Sequence, residues 1–215
     1  MIRLFFLVIV FFFNSCSLDV EKNEWQYKSA RAFHSFVQEY LSYDEILAKS
    51  DKKMAEHYAK QSADLRTLAR VYLGECAVYI SVGTRVTCKR YEAIHEVVND
   101  DELQAYFALL NQKLTLKTLH NLPKKYKYFA TAYYNQKYKK AFDALEKCDD
   151  DVSKLLWSAL IKKYLSQKQR IYMLHVASFN GYKRAVIFWL REIKQYEKSQ
   201  KQRKIIDKKI AILLK

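Results

Sequence analysis

The sequence predicts an all-α fold of antiparallel helix pairs, arranged either as a repeat-like solenoid or as an irregular helical bundle. Turn residues are scarce, three Gly and one Pro in 215 residues. Hairpins and sandwiches need many such residues, whereas helices joined by short polar links need few. The chain is 50% hydrophobic and 15% aromatic, enough for a packed core and against disorder. Apolar residues recur at three- and four-residue steps along most of its length, the period of a helix with one buried face.

In chain order, Trp25, Phe33, Phe36, Val37, Tyr40 and Leu41 predict one helix from Glu21 to about Lys49. Ser50-Asp51 can cap the next, carried by Met54, Tyr58, Leu65, Leu68, Val71 and Tyr72 to about Ser81. A shorter helix follows Thr87. Asn99-Asp100 can cap another through Leu103, Phe107 and Leu110. Pro123 suits the first turn of a helix reaching Tyr134, because its missing N–H would have no helical partner there. Asp149-Asp150-Asp151 offers a cap and dipole-complementing carboxylates to a helix through Leu155, Leu156, Leu160 and Tyr164. Two further helices are expected to close the chain.

The formal charge of +15 is unevenly spread. Residues 113–140 hold eight Lys and no acid, and residues 183–215 hold eleven Lys or Arg against three acids. The remainder is close to neutral, so two regions carry the imbalance.

The N-terminus has its own pattern. Met1-Ile2-Arg3 carries one positive charge, and Leu4 to Phe13 is an uninterrupted apolar run. A bilayer-spanning helix needs roughly 20 residues, so this run has the length of a secretory h-region. Small Ser15 and then Cys16 follow. Hydrophobic run, small residue and cysteine together resemble a bacterial lipoprotein signal peptide. That resemblance implies a signal peptide over 1–15, cleavage before Cys16 and lipid on its thiol, which leaves 16–215 as the single all-α domain that length and composition predict. Two or more acyl chains give stable anchoring where one gives only marginal binding. Ser17 resembles the default outer-membrane sorting pattern, so the implied address is the outer membrane, facing the periplasm.

In that oxidising compartment three more cysteines, Cys76, Cys88 and Cys148, matter. Cys76 and Cys88 flank an expected turn around Gly83-Thr84, where two meeting helices could bring the thiols together. A bridge closing so short a loop contributes about 3 kcal/mol. Two separate buried thiols are the alternative.

An internal echo lies within 123–200. Asn135–Leu145, NQKYKKAFDAL, matches Phe179–Trp189, FNGYKRAVIFW, at an offset of 44. Tyr138, Lys139 and Ala141 recur as Tyr182, Lys183 and Ala185, and Lys140 recurs as Arg184. With the Leu-Gly of Tyr72–Tyr79, YLGECAVY, these features resemble tetratricopeptide and Sel1-like helical repeats. In those families Leu-Gly sits on one helix, Tyr-x-x-Ala on the next, and small residues let the helices approach. Leu174–Leu190 also resembles the helical part of an ankyrin repeat. Stacked repeats align equivalent positions, which nominates Lys139, Lys140, Lys183 and Arg184 as one face for an anionic partner. The alternative is that these residues merely solvate helix faces.

No catalytic constellation stands out. The five histidines are scattered, no Cys or His pair has zinc spacing, and phosphate-loop and dinucleotide fingerprints are missing. No cofactor or metal is expected. Glu39, Glu75 and Glu96 are lone carboxylates that spacing does not pair. Tyr126–Phe142 interleaves aromatics with lysines, but Tyr126, Phe129, Ala130, Tyr133 and Tyr134 keep the helical period and read as core, with an exposed glycan- or peptide-binding face as the alternative, rather than as a nucleic-acid surface. From Arg191 onward, Ile193, Tyr196, Ile206, Ile210 and Leu213 form a helical seam, suited to bundle packing or to a basic membrane-surface or partner helix. Two functional classes follow. One is a membrane-anchored, non-enzymatic interaction module of the cell envelope, with a protein or anionic lipid as partner. The other is an envelope glycan-acting hydrolase with a single catalytic carboxylate, which would need its pKa raised in an aromatic cleft.

Overall fold

The computed structural model describes residues 23–215, so the signal-peptide and Cys16 expectations lie outside the described residues. Thirteen α-helices follow one another, with no strand among the described residues. They are α1 Glu24–Ser42, α2 Glu45–Ala59, α3 Arg66–Ser81, α4 Lys89–Glu92, α5 His95–Val98, α6 Asp101–Leu110 and α7 Leu116–Asn121. Then come α8 Lys124–Tyr134, α9 Tyr138–Glu146, α10 Asp151–Leu160, α11 Gln167–Phe179, α12 Lys183–Tyr196 and α13 Gln200–Leu213, with a 3₁₀ turn at Lys162–Tyr164. The all-α class and the packing of helices in pairs are as the sequence predicts.

Several boundaries differ from the sequence reading, among them the end of α10 at Leu160 rather than at Tyr164, and the unexpected α7. The first helix stops at Ser42, because Tyr43 turns left-handed (φ 80°) and Asp44 caps α2 by accepting the Leu47 N–H at 3.0 Å. Ser50 and Asp51, read as a cap, lie inside α2. The helix expected to run on to Ser81 breaks at residues 60–65, where Asp64 accepts the Arg66 N–H at 3.0 Å. Finally, three helices rather than two follow Tyr164. The Ser166 and Gln169 side chains form a capping box at the start of α11, and Ser199 caps α13.

One turn chemistry recurs. The sequences ALLNQK, AYYNQK and ASFNGY end α6, α8 and α11. In each, the Asn amide donates back to the carbonyl four residues earlier: Phe107 at 3.0 Å, Thr131 at 2.8 Å and Val176 at 2.9 Å. The next residue is left-handed, Gln112, Gln136 or Gly181, and the one after it donates to the alanine carbonyl at 2.8, 2.8 or 3.0 Å. This 6→1 closure satisfies helix-end carbonyls and reverses the chain. It also corrects the register of the internal echo. The two turns match bond for bond at an offset of 45, so residues paired at 44 are not equivalent. Lys139 and Lys140 are the second and third residues of α9, whereas Lys183 and Arg184 are the first and second of α12.

The centre is built from α3 and α10, which pack on each other. Ten of the sixteen residues of α3 are buried, as are seven of the ten in α10. Helix α3 also packs on α1, α2, α4, α5 and α6, while α1 meets α12. Contacts between elements so distant in sequence close the body around one core, whereas a linear array would join only neighbours. The α1–α2 pair approaches closely because its facing residues are small. Ser29, Ala32, Ala48, Ala55 and Ala59 are buried, and the Ser29 hydroxyl donates to the Ala55 carbonyl at 2.8 Å. A separate small cluster of Ile187, Leu190, Ile193, Ile206 and Ile210 attaches α13 to α12.

Candidate docking groove

Helix α1 presents Gln26, Ser29, Ala30, Phe33, His34, Val37 and Gln38 along one side, at helical spacing. Three concavities lie against this stripe and share Phe33, and together we term them a groove. The twelve steps from Gln26 to Gln38, at 1.5 Å each, make it about 18 Å long. The middle section, about 400 Å³, is walled by Val37 of α1, Leu73, Ala77 and Val78 of α3, Leu103 and Tyr106 of α6, Tyr126 of α8, and Leu156 of α10. Arg70, Glu102, Lys125 and Asp150 stand at its edge, so an apolar trough carries a rim of both signs.

Gly74 fixes the width. A Cβ there would lie 2.4 Å from Cζ of the Phe33 ring, so the missing side chain is what lets the ring lean on α3. Behind the trough, aromatic rings continue into the core. Tyr106 and Tyr126 lie 5.0 Å apart, Tyr126 and Trp157 6.1 Å, and Trp157 stacks on Phe129 at 4.9 Å. Burial, then the charge of and hydrogen bond with Tyr126, pushes the Tyr106 hydroxyl well above its ordinary pKa, so it stays neutral at any physiological pH. The far end is set by α10. Asp150 caps it, accepting the Val152 N–H at 3.2 Å and the Ser153 hydroxyl at 2.5 Å. Asp151 accepts from Lys154 at 2.8 Å and from the Asn180 amide at 2.9 Å.

The carboxylate closest to an enzymatic appearance is Glu75, which is buried on α3. It accepts from Lys52 Nζ at 2.6 Å, the Tyr79 hydroxyl at 2.8 Å and Arg90 Nη1 at 2.9 Å. Burial pushes its pKa up. The hydrogen bonds from Lys52 and Tyr79, the Lys52 charge and the Arg90 hydrogen bond outweigh that, leaving it below its ordinary value. Arg90 also grips Glu56 through two bonds and lies 4.1 Å over the Tyr72 ring. An ionised carboxylate with three donors is arranged opposite to a general acid, which needs a raised pKa. Glu96 is exposed on α5, and Glu39 is half-buried on α1.

Among the described residues no three His, Cys, Asp or Glu side chains converge as a metal site. Cys76 and Cys88 are joined by a disulfide, their Cα atoms 5.4 Å apart, across the turn at left-handed Gly83 (φ 78°). Cys148 is free and half-buried. Of the residues nominated for an anionic partner, Lys139 and Lys140 are exposed on α9, while Lys183 lies 5.2 Å over the Tyr43 ring. Arg184 needs correction, because its guanidinium is engaged internally. It donates to the Tyr40 carbonyl at 2.7 Å and to Glu45 at 2.5 Å, and stacks on Tyr40 and Tyr43. It therefore pins α12 to the α1–α2 corner and is not free for an outside anion. The groove itself was not legible in the sequence, since its walls come from five helices. The Leu-Gly of α3 was its one signal. No protein-family model matches this chain, and no curated protein or solved structure is significantly similar to it.

Proposed function

We propose that this chain is a bacterial envelope lipoprotein, cut before Cys16 and acylated there, whose helical body is a non-enzymatic interaction module facing the periplasm. The α1 groove receives apolar side chains of a partner protein, while its mixed-charge rim selects the segment that carries them. The observation that carries the interaction reading is the middle section of this stripe, about 400 Å³, with mainly apolar walls and with Arg70, Glu102, Lys125 and Asp150 also in its lining. The state of Glu75, ionised and fully engaged, weighs against the glycan-hydrolase alternative. The address rests on the Leu4–Phe13 run and Ser15-Cys16, and the Cys76–Cys88 bridge fits an oxidising compartment.

A photo-crosslinking residue in place of Phe33, in cells, tests the module. The expected result is an adduct of one defined mass, absent when the same residue replaces Glu96 on α5. Equal labelling from both positions, or no adduct from Phe33, contradicts the groove. The address is tested separately by Cys16→Ala, which should leave the precursor uncut. Normal processing and membrane retention of that variant would exclude lipoprotein maturation.

A further inference from the structure

Helix α13 is attached to the body along one edge. Ile206 and Ile210 are its two buried residues, and α12 is its main neighbour. At 100° per residue, Lys201, Lys204, Ile205, Lys208, Lys209 and Ile212 fall within an arc of roughly 140° on the side away from that seam. All six are exposed, Ile212 at 70% and Ile205 at 38%. The arc contains no carboxylate. The three acids of residues 183–215 are all engaged elsewhere. Glu192 takes Lys162 at 2.7 Å, Asp207 takes Lys194 at 2.5 Å, and Glu197 accepts the Ser199 N–H at 2.8 Å. The whole excess charge of α13 therefore faces outward and is uncompensated.

We infer that this outer face of α13 lies on an anionic lipid surface, with its four lysines at the headgroups and Ile205 and Ile212 entering the boundary below them. Charge complementarity favours the lysines, at roughly fivefold in partitioning per surface cation. Their long apolar stems let the ammonium groups stay in the headgroup layer while the helix sinks. The two isoleucines sit seven residues apart, nearly in line along the helix, so a flat apolar boundary takes both at once. The face is the convex side of a single helix, which suits a flat surface. About 21 Å of helix at 1.5 Å per residue lies parallel to such a surface, the arrangement of interfacial helices. The contact is separate from acylation of Cys16 and would add a second, salt-sensitive membrane signal to it.

The test uses the full chain carrying Cys16→Ser, so that no acyl group is present, with amide hydrogen exchange as a local readout. Vesicles of phosphatidylcholine with phosphatidylglycerol, in about a 7:3 ratio, should slow exchange over residues 200–213 at least fivefold. Vesicles of phosphatidylcholine alone should not. Lys201→Glu, Lys204→Glu, Lys208→Glu and Lys209→Glu combined should abolish the protection and lower the anionic-vesicle preference by more than about a hundredfold. Ile205→Ser with Ile212→Ser should weaken it while keeping the salt dependence. Equal protection on both vesicle types, or binding that leaves residues 200–213 unprotected, overturns the inference. Protection by soluble polyglutamate but not by vesicles overturns it in favour of an acidic protein. None of these outcomes bears on Cys16, whose acylation is read from the mass of the native chain.

Discussion

Replacing Glu75 by Gln removes a charge that holds three donors in the wall between α2, α3 and α4. The glutamine keeps the shape and one acceptor, but its NH₂ faces Lys52 or Arg90 where an oxygen stood. Lys52 loses its only carboxylate partner among the described residues, and its side chain is 22% exposed, whereas Arg90 is 42% exposed and keeps Glu56. Breaking a fully buried pair costs about 3–5 kcal/mol. With both cations reaching water, the loss here should be about 2 kcal/mol. The sign of its pH dependence follows from the depressed pKa. Ionised Glu75 stabilises the fold above its unfolded value of 4.5, and that contribution disappears as pH falls through the lower folded value. Urea titrations should therefore show Glu75→Gln less stable at neutral pH, with the gap to wild type closing below 4.5. A glutamine variant as stable as wild type, or a gap independent of pH, would refute the claim that this carboxylate is a structural anion. A more stable variant would revive the catalytic alternative, in which the protein retains a strained acid for function.

Three further outcomes follow from the same geometry. Cys76→Ser with Cys88→Ser should lower unfolding stability by about 3 kcal/mol, matched by reductant on wild type in chemical denaturation. Gly74→Ala gains about 1 kcal/mol of helix propensity but drives the Phe33 ring aside. It should be near neutral in wild type and stabilising by about 1 kcal/mol in a Phe33→Ala background, a coupling that a double-mutant cycle measures. Arg184→Ala should cost about 1 kcal/mol through the lost hydrogen bond to the Tyr40 carbonyl and the lost stacking on Tyr40 and Tyr43. Lys140→Ala, on an exposed face, should stay within about 0.5 kcal/mol of wild type, as read from paired thermal melts.

Local rules read from the sequence placed several helix starts. Asp100 accepts the Leu103 N–H at 3.0 Å, Asp150 caps α10, and Pro123 opens α8. They failed where tertiary contact overrode local preference. Left-handed Tyr43 is uncommon for a bulky residue; it closes α1 through the Asp44 N–H to the Glu39 carbonyl at 2.9 Å, and its ring packs under the Arg184 guanidinium at 4.3 Å, brought from the other end of the chain. The echo at Tyr138 and Tyr182 was legible, but its one-residue slip appears only when the backbone turns are compared. The repeated Ala-x-x-Asn motif carries no turn signal at the sequence level, because Gln is not an expected left-handed residue. The groove depends on α3 meeting α1 and α10, contacts that periodicity does not encode. The outer face of α13 was half legible: the seam and the basic charge were visible, but not which acids turn away.

Anchoring at Cys16 and residence in an oxidising compartment can be read together, by intact mass of membrane-fraction protein after alkylation of free thiols without reductant. The expected species starts at Cys16, carries diacylglycerol and an amide-linked acyl chain, and takes one alkyl group, at Cys148. A chain with unacylated Cys16, alkylated there and at Cys76, Cys88 and Cys148, would contradict both the anchor and the compartment.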